Sequence, residues 1–206
     1  MTHTLHRTGT PADQAADFTI MAMATKGVNH AASREKLVGI LRICLKHKPI
    51  NIGDTQQGDM YLLGSPEAVF ERMVDGAIAH AHFDSKENLI AALKEIREAD
   101  LGMSVIVTGL FGATKECCAK AGLSPHTAAV SLGVWGKTQR LPERKKLDLH
   151  TMCGHAMVPL ALIDSVIAKI KRKQLSVEQA AVELAKPCVC GVFNPTRAAE
   201  LLRRLI

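Results

Sequence analysis

The stretch MSVIVTGLFGATKECCAK, residues 103–120, decides the fold class. Its first six residues form a short, continuously apolar run rich in β-branched side chains, the composition of a strand buried on both faces. The Gly109-Leu-Phe-Gly112 turn follows, and then a helix-forming segment that carries Cys117 and Cys118. This strand, turn and helix place residues 103–108 at the centre of a sheet. The turn resembles a phosphate-binding loop only loosely, lacking both the third glycine of a dinucleotide fingerprint and the Gly-Lys-Ser/Thr of a P-loop.

The same alternation extends outward. Residues 17–24 read as an apolar strand and residues 34–47 as a helix, capped by Ser33 and closed by Pro49. Leu37, Leu41 and Cys44 share one stripe of that helix, which assigns Cys44 to the core. Residues 60–63 and 77–83 read as strands, each followed by a helix start, at Ser65-Pro66 and at Asp84-Ser85. Beyond residue 120, Ser124-Pro125 begins a short helix or turn, and residues 147–152 read as a strand leading into a helix that ends near residue 173. Ser176-Val-Glu-Gln179 fits a capping box, and Asn194-Pro195 opens the last helix. Strands alternating with helices predict an α/β fold in layered sheet architecture. A composition shift, rather than a linker, puts a soft boundary near residue 101.

That shift is electrostatic. Residues 1–100 carry 11 Lys/Arg against 13 Asp/Glu, while residues 101–206 carry 15 against 7. The mildly acidic half 1–100 and the basic half 101–206 are the two candidate domains, able to share one sheet. Basic charge fits a small anionic substrate or an acidic redox partner protein. With 3% aromatics the chain has little with which to stack bases, so nucleic acid is not the expected partner. With 47% apolar and 22% charged residues it reads as an ordinary globular protein. No apolar run spans a bilayer, and the opening Met1-Thr-His-Thr-Leu-His-Arg lacks the apolar core of a signal peptide. A cytoplasmic location is the expectation, with a homo-oligomer or a subunit of a complex as the form.

In such a compartment clustered cysteines bind metal or react rather than form disulfides. Five of the six cysteines lie after residue 116, in Cys117-Cys118, Cys153-Gly154-His155 and Cys188-Val-Cys190-Gly191. Convergent thiolates suit soft metals, and Gly191 allows the tight turn that aims two sulfurs at one point. Cys153, Cys188 and Cys190 are therefore the preferred ligands, with Cys117 or Cys118 as a fourth. Four thiolates suit a [4Fe–4S] cluster or a tetrahedral zinc, and three leave one position open to substrate. Neither ferredoxin nor zinc-finger spacing is present. The adjacent pair Cys117-Cys118 tips the reading to iron–sulfur, and so to redox or Lewis-acid chemistry of the kind used in anaerobic metabolism.

His155, two residues from Cys153, and His126 are the candidates for proton transfer, with His150 as a further ligand or base. His80 and His82 alternate on one strand face and read as half-exposed polar positions. Lys137, Arg140 and Arg144 lie in the densest basic stretch and could grip an anion or a coenzyme tail. The alternatives are a metal-free enzyme with Cys153 as nucleophile and a non-catalytic metal-delivery or assembly module.

Overall fold

The computed structural model describes residues 3–206; Met1 and Thr2 of the opening segment lie outside the described residues. Five strands form one sheet: β1 Phe18–Met23, β2 Asn51–Asp54, β3 Gly58–Asp59, β4 Ile78–Phe83 and β5 Ser104–Thr108, in the order β3-β2-β4-β1-β5. Every pairing is antiparallel. Mixed helices and a sheet make this an α/β fold. Because β5 pairs with β1, residues on both sides of position 101 share the sheet.

The period of two sorts the side chains onto two faces. Phe18, Ile20, Ala22, Ile52, Ala79, Ala81 and Phe83 are buried on one face. They meet α1 Ser33–Lys46, α3 Pro66–Arg72, α4 Lys86–Ala99 and α5 Phe111–Lys120 in the first apolar core. Cys44 lies in that core, and burial pushes its thiol up to about 12. The other face is polar. Thr19, Asn51, His80 and His82 are all fully buried there, beside Gly53 and Met21. Over this face packs a second core, built from α6 Arg144–His150, α7 Leu160–Lys171, α8 Val177–Ala185 and α9 Pro195–Arg203.

Several local signals act as expected. Ser85 caps α4 by accepting from Asn88 N, Ser176 and Gln179 close a capping box on α8, and Asn194 accepts from Arg197 N at the start of α9. Others act differently. Ser33 lies inside α1, where its hydroxyl accepts from Gly76 N, while Ala32 takes the left-handed cap position. Residues 60–63 form the short helix α2 Met60–Leu63, because Asp59 caps it through Leu62 N. Residues 147–152 begin as α6 rather than a strand: four residues of apolar alternation fit either period, and the Arg144–Asp148 pair across one turn favours the helix. Residues 103–108 form an edge strand, not the centre of the sheet. Ser124-Pro125 opens no regular element, and β2 was not anticipated.

Candidate metal centre

The turn after α8 rests directly on the sheet. Cys188 N donates to Ala185 O at 2.8 Å and Gly191 N to Cys188 O at 3.2 Å, which folds Cys188-Val-Cys190-Gly191 into a compact loop. Gly191 adopts φ +76°, and a Cβ there would lie 2.4 Å from Gly53 N and 2.5 Å from the Ile52 carbonyl carbon. A Cβ on Gly53 would in turn meet the Cys190 carbonyl carbon and Gly191 N, both at 2.8 Å. Backbone touches backbone, and only glycine at both positions permits it. Since Gly53 pairs with His80, the register sets the cysteine turn over the β2–β4 part of the polar face.

A second loop brings the third sulfur. α6 stops at Thr151, Gly154 N closes a turn on Thr151 O at 2.7 Å, and Gly154 itself adopts φ +78°. Cys153 Sγ then accepts from Met157 N at 3.2 Å. Cys188 and Cys190 sulfurs stand 3.6 Å apart, and the Cys153 thiol lies close enough to Cys188 for each to shift the other's ionisation. Residues 35 positions apart in the chain thus meet in one row, Cys153–Cys188–Cys190. All three are buried in the second core. Further backbone N–H groups, of His155 toward Cys153 and of Val192 toward Cys188 and Cys190, favour the ionised sulfurs.

Electrostatics grade the row. The hydrogen bond from Cys188 holds the Cys190 thiol below its ordinary value, against the opposing effect of burial. Cys153 is pushed well up, first by its bond to Cys188 and then by burial. Cys188 is also raised: its bond from Cys153 lowers it, but the bond it gives to Cys190 and burial together outweigh that. Of the three, Cys190 is the thiol shifted toward its ionised form.

The remaining candidates lie elsewhere or are otherwise engaged. Cys117 and Cys118 are buried in the first core, on the α5 side of the sheet, and burial raises both thiols. His150 Nδ1 bonds the Val158 carbonyl at 2.7 Å. His155 sits exposed in the loop after Cys153, and partial desolvation of its ring by the residues around it lowers its pKa. His126, Lys137 and Arg140 are exposed, and Arg144 pairs with Asp148 and donates to Gly9 O. Among the described residues, no group of three or more His, Cys, Asp or Glu side chains stands ready to hold a metal ion.

One buried cluster went unread in the sequence. His82, expected half-exposed, is fully buried between Thr19 Oγ1 at 2.8 Å and Asp17 Oδ1 at 2.7 Å. Asp17 also accepts from Asn194 Nδ2 at 3.0 Å, from Arg197 Nη1 at 2.9 Å and from Arg7. Burial alone would raise the Asp17 carboxyl, but Arg7, His82 and Arg197 together hold it far below the usual carboxylate range. Burial keeps the His82 ring below its ordinary pKa despite that carboxylate. The neutral ring then donates from Nε2 to Asp17 and accepts at Nδ1 from the Thr19 hydroxyl. With no solvent access this is a clamp between strand and helix, not a nucleophile. A Thr-x₆₂-His spacing carries no sequence signal that could have announced it.

No family model matches this chain, and neither a curated protein nor a solved structure matches it. Among the described residues no helix is long and apolar enough to cross a membrane.

Proposed function

We propose that the chain is a metal-binding protein whose thiolate site is Cys153, Cys188 and Cys190. The observation that carries this reading is the group of three buried sulfurs, with Met157 N donating to Cys153 and the Val192 amide favouring the ionised forms of Cys188 and Cys190. Sulfurs arranged to accept N–H groups are prepared for negative charge, and buried thiolates need a cation. A thiol meant for attack on a substrate would need access that these lack.

The spacing favours a single soft ion of the zinc class. Tetrahedral bonds of about 2.3 Å set neighbouring thiolates about 3.8 Å apart. The 3.6 Å between Cys188 and Cys190 lies close to that edge. Thiolates on a [4Fe–4S] cluster each bind a different iron and stand farther apart. The iron–sulfur alternative rests on the number of thiols that the two loops bring to one core. In either case the metal would lock the α6–α9 layer to the sheet through both loops.

The test is anaerobic purification of the full chain, with metal analysis and cobalt substitution. One equivalent of metal and intense sulfur-to-cobalt charge-transfer bands, both lost in Cys188→Ser, are expected. A brown protein carrying iron and sulfide would select the cluster. A chain that folds fully without metal and takes up neither zinc, cobalt nor iron would overturn the reading.

A further inference from the structure

Strand β5 has the sequence of an interior strand and the position of an edge strand. Ser-Val-Ile-Val-Thr carries no charge, no proline and no bulge, the devices by which proteins protect an exposed edge. Yet one side of β5 is unpaired in the sheet, and each of its residues is partly or fully open to solvent. Nearby in sequence, Phe111 at the start of α5 is 63% exposed.

A second segment has the complementary defect. Residues 124–135 are all exposed or nearly so and form no regular element. Within them Val130, Leu132 and Val134 alternate at the period of a strand, and Leu132 and Trp135 are 83% and 82% exposed. An apolar run with strand periodicity and no strand partner lies in the same chain as a strand edge with no neighbour.

Charge identifies the occupant. Residues 101–114 and residues 121–136 contain no Lys, Arg, Asp or Glu, in a chain where 22% of residues are charged and the net charge is +6. Two copies of a +6 protein approach most readily through neutral surface, whereas an anionic partner would be met by the basic residues instead. Phe111, Val130, Leu132, Val134 and Trp135 offer on the order of 500 Å² of apolar side chain per copy. Exchanged in both directions, that area reaches the roughly 1,000 Å² that a specific interface requires.

We propose that the chain is a two-fold symmetric homodimer in which the 128–135 segment of each copy adds as a sixth strand to the β5 edge of the other. The backbone groups of β5 then gain partners, and the side chains that alternate along the arm cover Ile106 and Phe111. This is independent of the metal site, which lies on the opposite side of β1 from this edge.

Light scattering on the eluting full chain tests it. The expected mass is twice 22.2 kDa at micromolar concentration. Leu132→Lys combined with Val134→Lys should raise the dissociation constant by about 100-fold or more and elute as the monomer. Both positions are exposed in the single chain, so the helical signal of its circular dichroism should be kept while the small strand signal of the arm is lost. Hydrogen exchange supplies the second readout: the β5 amides that face away from β1 should be protected in a concentration-dependent way in the wild type and unprotected in the variant. A wild-type monomer, or a dimer that survives the double substitution through direct β5–β5 pairing, overturns the proposal. So does a monomer that instead binds vesicles of anionic lipid.

Discussion

Replacing Gly191 by Ala tests the contact on which the cysteine turn depends. Two separable effects are expected. A residue with a Cβ held at φ +76° is strained by about 1–2 kcal/mol, and a methyl placed 2.4 Å from Gly53 N and 2.5 Å from the Ile52 carbonyl carbon must push two backbones apart, at about 1–3 kcal/mol. No flexible side chain can move aside to relieve it. The sum is about 2–5 kcal/mol, a large part of the stability of an ordinary domain. Gly27→Ala isolates the first effect, because Gly27 adopts φ +80° with nothing within 4 Å of the added methyl. Urea unfolding followed by circular dichroism should place Gly191→Ala below Gly27→Ala by about 1–3 kcal/mol. Gly53→Ala, which invades the same gap from the other side, should lose a similar amount, and the double variant less than the sum. Equal midpoints for Gly191→Ala and Gly27→Ala would refute the backbone contact, and with it the placement of the sulfurs over the sheet.

Other outcomes follow from the buried charges and the thiols. Asp17→Asn should destabilise the chain by about 3–5 kcal/mol, since it leaves Arg7 and Arg197 buried without their counter-charge; thermal unfolding reads this directly. Because the folded-state pKa of Asp17 is depressed, its stabilisation is complete above about pH 4, its unfolded value, and is lost as pH falls below that. His82 acts over a higher window: its folded pKa is lowered, so the unfolded chain takes up a proton that the folded chain refuses as pH drops below about 6.5. Urea midpoints measured from neutral to acid pH should therefore decline in two stages, the lower one smaller in Asp17→Asn, with Asp13 and other paired carboxylates supplying the rest. Alkylation by a small maleimide in the metal-free native chain should be slow at every cysteine, all six being buried; rapid stoichiometric labelling of Cys153 would favour a nucleophile instead.

The legible parts of this fold were those written in local chemistry. Ser85, Ser176 and Asn194 each set a helix start through a side chain and a backbone amide three residues away, and spacing alone reveals them. Position within the sheet was not legible. Residues 103–108 look central because each side chain is apolar or small, but sheet order is decided by which strand pairs with β1, and that information lies in β4 and β1 rather than in β5. For the cysteines, sequence could nominate Cys153, Cys188 and Cys190 by their glycine neighbours. It could not place Cys117 and Cys118, which share composition with them but face the other core. The glycine pair 53 and 191 was half visible: Gly191 reads as a turn residue, while nothing in the sequence singles out Gly53, whose partner lies 138 positions away.

The Asp17 clamp bears on how the chain is made. Arg197 lies 180 residues downstream of the carboxylate it neutralises, and Asn194 lies 177 downstream. While a ribosome is still producing the intervening stretch, the sheet's polar side has nothing to cover His82 and Asp17, and water must solvate them. An abortive product ending before α9 would then be recognisably defective, with a charged flank that proteases and chaperones can read. The seal over the Asp17 carboxylate therefore forms only after α9 emerges.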